Sequence, residues 1–170
     1  TVTTAPGAGT TIRVLLPLEQ VLAAAPDEKA RGATLAAWPP LAGRVLLVDD
    51  DGDVAEFMRD LLESWGCEVE SFGDGRAALA AFTDDPHRWA LGLLDQTMPL
   101  VSGIELARQL RALRADFPVV LYTGYSDALT DEAVREAGVA ALVKKPIDKH
   151  TLRRVLGSLM PVAENAVTSG

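Results

Sequence analysis

The chain has 170 residues, of which 48% are hydrophobic, so it is long and apolar enough for one domain with a buried core and a shorter additional segment. Its formal net charge is −8, and the whole imbalance falls after Gly43, since residues 1–43 carry three basic and three acidic side chains whereas residues 44–170 carry 13 basic and 21 acidic ones. The acidity argues against nucleic acid as a partner, the single cysteine excludes an internal disulfide, and no apolar run approaches the roughly 18–20 residues of a membrane span.

The first 43 residues differ in composition from the rest of the chain. Residues Thr10–Leu16 are β-branched and apolar, which predicts a strand that ends at Pro17. Residues 18–43 are rich in alanine, and five of the ten prolines of the chain lie before residue 44. This composition predicts a linker over residues 18–43.

A regular alternation of strand and helix patterns begins at Arg44. Short apolar runs predict five strands, over Val45–Val48, Cys67–Phe72, Trp89–Leu94, Val119–Tyr122 and Val139–Val143. Helical spacing of apolar residues predicts five helices, over Asp53–Trp65, Asp74–Phe82, Ile104–Leu113, Ala128–Ala137 and Asp148–Leu159. In the third helix, Leu106, Leu110 and Leu113 are expected on one apolar face. The alternation predicts an α/β fold, a doubly wound parallel sheet with helices on both faces.

Five polar residues interrupt this pattern at the carboxyl ends of the predicted strands. Asp49 and Asp50 follow the first strand, Asp95 follows the third, Thr123 follows the fourth, and Lys145 follows the fifth. Ligands of open parallel sheets bind beyond these ends, near the point where the strand order switches. We therefore expect the five side chains to converge on one pocket.

The residue types in this pocket indicate phosphoryl chemistry. Three neighbouring carboxylates repel one another and favour a bound cation. Because the donors are all oxygens, the expected ion is Mg²⁺. A lysine can stabilise a phosphoryl group as a point charge, a threonine hydroxyl can bond one of its oxygens, and an aspartate can act as the nucleophile.

Four motifs that carry these residues resemble the receiver domain of two-component signalling. They are Val45–Asp51 (VLLVDDD), Leu93–Pro99 (LLDQTMP) with Gly103, Val119–Gly124 (VVLYTG) and Lys145–Pro146. The resemblance covers about residues 44–160 and leaves residues 161–170 as a C-terminal tail. It implies a flavodoxin-like five-stranded parallel sheet with strand order 2-1-3-4-5.

The resemblance also implies a set of metal ligands. Asp50 and Asp95 would bind Mg²⁺ directly, and Asp49 would act mainly through a water molecule. The backbone carbonyl of Thr97 would be a further protein ligand.

For the phosphoryl group, the resemblance implies that Asp95 is the phosphoacceptor. Thr123 would supply the switch hydroxyl, and Lys145 would contact the phosphoryl group, with a cis peptide bond between Lys145 and Pro146.

Two further positions bear on signalling. Leu142 stands where many family members carry an aromatic switch residue, and the bulky Tyr125 is expected to slow hydrolysis of the acyl phosphate.

The segment Gly7–Thr11 (GAGTT), followed by IRVLLP, resembles the end of the ATP-binding domain of a sensor histidine kinase. This implies that residues 1–17 are the tail of such a domain and that the parent is a hybrid histidine kinase with a C-terminal receiver. The expected partners are a histidine kinase domain or a histidine phosphotransfer protein. We expect a cytoplasmic monomer or weak dimer that contacts no membrane, although the parent kinase itself can be membrane-anchored.

Only ten residues follow Met160, so we expect a phosphorelay or kinase-regulating receiver without an output domain. Two alternatives remain. A phosphatase of the haloacid-dehalogenase type also uses a nucleophilic aspartate, but it needs a second aspartate two residues later, where this chain has Thr97. A pseudo-receiver that binds partners without phosphorylation is disfavoured because all five site residues are present.

Overall fold

The structure, a computed structural model, describes residues 2–5, 9–12, 38–124 and 129–163, and the chain divides into two compact units at Trp38. In the first unit, β1 (Val2–Ala5) and β2 (Gly9–Ile12) form an antiparallel pair. The strand predicted at Thr10–Leu16 therefore agrees with β2 as far as Ile12, and its remainder lies outside the described residues. Residues 18–37 of the predicted linker also lie outside them. The assignment of residues 1–17 to a kinase domain, and the other domain boundaries, stay predictions.

The second unit is built on a sheet of five parallel strands. They are β3 (Arg44–Val48), β4 (Glu68–Phe72), β5 (Leu91–Asp95), β6 (Val119–Thr123) and β7 (Ala141–Lys144). Their spatial order is β4-β3-β5-β6-β7, which confirms the predicted order 2-1-3-4-5. The strands β5 and β6 are buried along their whole length, as their continuous apolar sequence predicts.

Five helices alternate with these strands, and a single turn of 3₁₀ helix (Pro86–Arg88) precedes β5. The helices are α1 (Gly52–Ser64), α2 (Gly75–Asp84), α3 (Gly103–Leu113), α4 (Asp131–Glu136) and α5 (Lys149–Leu159). The prediction that α4 spans Ala128–Ala137 was wrong at its start. Thr130 has an extended backbone, and its side chain accepts the Ala133 N–H, so the helix begins only after it.

The two faces of the sheet carry separate apolar clusters. On one face, Tyr122 and other inward residues of the strands pack with α1 and α5 through side chains such as Met58 and Leu152. On the other face, the alternate strand residues pack with α2 and α3 through side chains such as Phe82 and Leu110. This division confirms that helices cover both faces.

Two side chains with the predicted apolar spacing lie outside the core. Phe57 of α1 is 60% exposed and Leu113, the last residue of α3, is 49% exposed. Leu106 and Leu110, which were expected on one face of α3 with Leu113, are fully buried, whereas Leu113 at the end of the helix is exposed. At that end of α3 the fully buried Phe117 belongs to the core cluster, and its ring centre lies 4.6 Å from that of Phe82.

Within the described part of the chain, no helix combines the length and the apolar character needed to cross a membrane.

Candidate functional site

Three carboxylates meet beyond the carboxyl ends of β3 and β5. Asp49, Asp50 and Asp95 each offer one oxygen, and these oxygens lie within 4.8 Å of one another. Asp49 and Asp95 are buried, whereas Asp50 is exposed. The cluster thus has an accessible side, and its donors are the hard oxygen ligands that suit Mg²⁺. The predicted convergence of these three side chains is confirmed.

The ammonium group of Lys145 lies beside the same carboxylates. Its Nζ lies 2.9 Å from Oδ1 of Asp95 and 3.9 Å from Oδ2 of Asp49. The Lys145 backbone N–H donates to the carbonyl of Thr123 at 2.8 Å, and the peptide bond between Lys145 and Pro146 is cis, as predicted. The end of β7 is therefore anchored to the end of β6 beside the carboxylates.

Asp95 is held between opposing influences. Burial is the largest influence and raises the pKa of its carboxyl group, and the nearby charge of Asp49 also raises it. The hydrogen bond and charge of Lys145 lower the pKa, as does the hydrogen bond that the Thr97 N–H donates to Oδ2 at 3.2 Å. The net effect is a raised pKa, because a buried carboxylate beside another one is incompletely neutralised by a single lysine.

Asp49 is fixed by two hydrogen bonds, one to each of its oxygens. The backbone N–H of Asp51 donates to Oδ1 at 2.8 Å, and the hydroxyl of Tyr122 donates to Oδ2 at 2.6 Å. Sequence reasoning missed Tyr122, which it treated as one apolar residue of the fourth strand. The available signal is that a tyrosine inside a fully buried strand needs a partner for its hydroxyl. Burial and the bond to Asp49 both raise the pKa of Tyr122 well above its usual range, so the hydroxyl keeps its proton.

The sequence model of the response regulator receiver domain family matches residues 45–156. This chain belongs to that family. Apart from Arg44, the match includes all five parallel strands, and it includes every residue of the carboxylate cluster, so the site belongs to the receiver domain itself.

Receiver-domain relatives differ in overall length. The chain is 28% identical over 127 residues to the transcriptional regulatory protein FixJ of Bradyrhizobium diazoefficiens, and the match covers 75% of this chain and 61% of FixJ. It is 35% identical over 162 residues to the virulence sensor protein BvgS of Bordetella bronchiseptica, with 89% of this chain and 13% of BvgS covered. This chain therefore spans only part of each relative.

The fold also agrees with solved receiver domains. The chain matches the structure of the chemotaxis protein CheY4 of Vibrio cholerae with a TM-score of 0.63 and 26% sequence identity. The match covers 69% of this chain and 98% of the CheY4 chain. The match thus includes almost the whole CheY4 chain but only part of this chain.

The structure describes three of the remaining residues with a predicted role. Thr123 is buried at the end of β6, and its hydroxyl donates to the Gly124 carbonyl at 3.2 Å. Thr97 lies in the loop after β5, and Leu142 is 38% exposed on β7. Tyr125 lies outside the described residues. The metal-ligand role of Thr97 and the switch role of Thr123 stay predictions.

Two neighbouring acids have structural roles at the start of α1. Asp51 caps α1, since its side chain accepts the N–H groups of Asp53 and Val54. Asp53 lies in the first turn of the same helix, where the helix dipole favours a negative charge. Neither residue belongs to the three-carboxylate cluster.

Proposed function

We propose that this receiver domain accepts a phosphoryl group from a phosphohistidine onto Asp95 and that it does so with Mg²⁺. The observation that carries the proposal is the position of Lys145 Nζ, 2.9 Å from Asp95 Oδ1, at the edge of a three-carboxylate cluster. Excess negative charge suits a divalent cation, and a lysine in contact with the nucleophile suits a phosphoryl group.

The proposed reaction transfers a phosphoryl group from the imidazole of a histidine to the carboxylate of Asp95. A carboxylate oxygen of Asp95 forms a bond to phosphorus while the phosphorus–nitrogen bond of the phosphohistidine breaks, and its electron pair stays on the imidazole nitrogen. Lys145 stabilises the negative charge of the phosphoryl oxygens, and the Thr123 hydroxyl donates to one of them. Asp50, Asp95 and the Thr97 carbonyl would hold Mg²⁺, with Asp49 acting through water, and the metal would neutralise charge on the phosphoryl group.

The proposed partners are a histidine kinase domain or a histidine phosphotransfer protein, within a hybrid histidine kinase in the cytoplasm. The similarity to the virulence sensor protein BvgS supports this context, because a match over 89% of this chain cannot be confined to residues 44–170. It extends into the segment before Arg44, where the kinase-like Gly7–Thr11 motif and the predicted linker precede the receiver. The proposed solution state is a monomer or weak dimer.

Incubation with acetyl phosphate and Mg²⁺, followed by intact mass measurement, tests the proposal. We expect one phosphate per chain, labile in alkali, which disappears when Mg²⁺ is chelated and in the Asp95→Asn variant. Asp84→Asn is the matched control, since it makes the same substitution at an exposed position at the end of α2.

A folded wild-type chain that gains no phosphate would contradict the proposal and favour a pseudo-receiver. Repeated turnover of a phosphate monoester, lost in Asp95→Asn, would instead favour a phosphatase. A phosphate retained in Asp95→Asn would place the phosphoacceptor at another residue.

A further inference from the structure

Tyr122 is a fully buried side chain whose polar end reaches the carboxylate cluster. Its ring packs in the core between the sheet, α1 and α5, and its hydroxyl donates to Oδ2 of Asp49 at 2.6 Å. The side chain of Asp49 is only 1% exposed. Water therefore has little access to this carboxylate, and protein donors must replace it.

The two donors of Asp49 fix the plane of its carboxylate. The Asp51 N–H holds Oδ1 from the loop before α1, and the Tyr122 hydroxyl holds Oδ2 from β6. With one donor on each oxygen, rotation of the carboxylate about its terminal torsion would break a hydrogen bond. A short bond from a neutral donor to a charged acceptor is among the stronger hydrogen bonds of proteins.

The same hydroxyl affects which carboxylate Lys145 contacts. Lys145 Nζ lies 4.9 Å from the centre of the Tyr122 ring, and it is closer to Asp95 than to Asp49, at 2.9 Å against 3.9 Å. The Asp49 oxygen that faces the ammonium already accepts the tyrosine hydroxyl. Tyr122 thus supplies the hydrogen-bond donor for Oδ2 of Asp49, so Lys145 remains in contact with Asp95.

We propose that Tyr122 is a positioning residue of the receiver's metal site: its hydroxyl orients Asp49 toward the cation and keeps Lys145 on Asp95. This inference rests on the proposed function, because it assumes that the cluster binds Mg²⁺. Without the hydroxyl, Asp49 is free to turn toward Lys145. This rotation would move the Asp49 carboxylate away from the cation, and it would draw Lys145 away from Asp95. Outer residues that orient a metal's ligands typically change metal affinity by about 10–100-fold.

Mg²⁺ titration by calorimetry tests the inference with the variant Tyr122→Phe, which removes only the hydroxyl. We expect the Kd for Mg²⁺ to rise about tenfold. Val120→Ala is the control for lost stability, since Val120 is buried in the same strand and the same core cluster but touches no carboxylate in the described hydrogen bonds and ion pairs. This control should lower the free energy of unfolding and leave the Kd within about twofold.

A double-mutant cycle separates positioning from a general effect of the ring. If the hydroxyl acts through Asp49, Tyr122→Phe should leave the Kd within about twofold when it is added to Asp49→Ala. An unchanged Kd in the single Tyr122→Phe variant, or an equal change in both backgrounds, would overturn the inference alone. A wild-type chain that binds no Mg²⁺ would overturn the proposed function as well, so the two failures are distinguishable.

Discussion

Asp95 carries its charge in surroundings that, without a metal, disfavour it. Burial raises the pKa of this carboxyl group, and Lys145 only partly offsets that effect. A carboxyl group whose pKa is raised by folding contributes stability when it is protonated and loses that contribution as the pH rises through the folded pKa. At pH 7 in a metal chelator, the ionised Asp95 therefore costs stability.

We accordingly expect Asp95→Asn to raise the free energy of unfolding at pH 7 in the absence of divalent cations. The gain should shrink as the pH falls toward the ordinary aspartate pKa of about 4, where the wild-type side chain is also neutral. Urea unfolding at several pH values measures it, and the exposed Asp84→Asn should stay within about 0.5 kcal/mol of wild type. A variant less stable than wild type in chelator would show that the pair with Lys145 outweighs burial.

Mg²⁺ should stabilise the wild-type chain more than the Asp95→Asn variant. At a concentration 100 times the Kd, ligand binding stabilises the wild-type chain by about 2.7 kcal/mol. Asp95→Asn loses a carboxylate of the cluster and should gain less at the same concentration. The comparison of urea midpoints with and without Mg²⁺ measures this, and equal gains would argue that the cation binds elsewhere.

At the scale of elements, α3 approaches the end of β5 so closely that only glycine fits between them. A Cβ atom on Gly103 would lie 2.2 Å from the carbonyl oxygen of Asp95. Two hydrogen bonds to Gln96 hold the start of α3 in this position. The Gly103 N–H donates to the Gln96 backbone carbonyl, and the Ile104 N–H donates to the Gln96 side-chain Oε1, each at 3.1 Å. The start of α3 thus fixes the backbone of the proposed phosphoacceptor.

Gly103→Ala should force α3 and the Asp95 backbone apart, because the clash involves main chain and no flexible side chain can yield. We expect a loss of about 1–3 kcal/mol in the free energy of unfolding and slower phosphorylation by acetyl phosphate. Gly52→Ala is the matched control, since it lies at the start of α1 with nothing within 4 Å of its added Cβ. If both variants behave alike in urea unfolding and phosphorylation, the close approach does not constrain the site.

The elements also show what pattern reasoning can and cannot provide. Asp49 and Asp95 are predictable because each follows an apolar run, and the carboxyl ends of parallel strands meet at one edge. The hydrogen bond between Tyr122 and Asp49 joins residues 73 positions apart. A tyrosine in a buried strand needs a partner for its hydroxyl, but the strand pattern does not indicate that this partner is Asp49. Leu113 fits the helical spacing yet is exposed, since spacing alone does not say where a helix stops covering the sheet.

At the scale of the receiver unit, two segments outside the family match close the amino end of the sheet. We call residues 39–43 and 161–163 the clasp. Leu41 pairs with Val162 in an antiparallel bridge, and the Ala42 and Ala163 N–H groups donate across the clasp to the carbonyls of Pro161 and Pro40, at 2.9 and 2.8 Å. No local pattern predicts this pairing, because its partners are separated by the whole receiver sequence.

The clasp is also fastened to the helices. The Leu41 N–H donates to the Trp65 carbonyl at 2.7 Å, and the Arg153 guanidinium donates to the carbonyl of Pro39. Leu41 is 1% exposed and packs in the same cluster as Met160. A segment that buries a leucine and makes these bonds is part of the folded unit, which begins at Pro39 in the structure.

Leu41→Ala should therefore lower the free energy of unfolding by about 2–5 kcal/mol, as expected for truncating a buried leucine. Val162→Ala, in the facing segment of the clasp but 44% exposed, should change it by less than about 1 kcal/mol. Because the clasp precedes the amino end of β3 and the carboxylates follow its carboxyl end, Leu41→Ala should leave the Mg²⁺ affinity of the folded chain unchanged. Urea unfolding and Mg²⁺ titration of both variants measure this; a Leu41→Ala loss no larger than that of Val162→Ala would show that the receiver folds without its clasp.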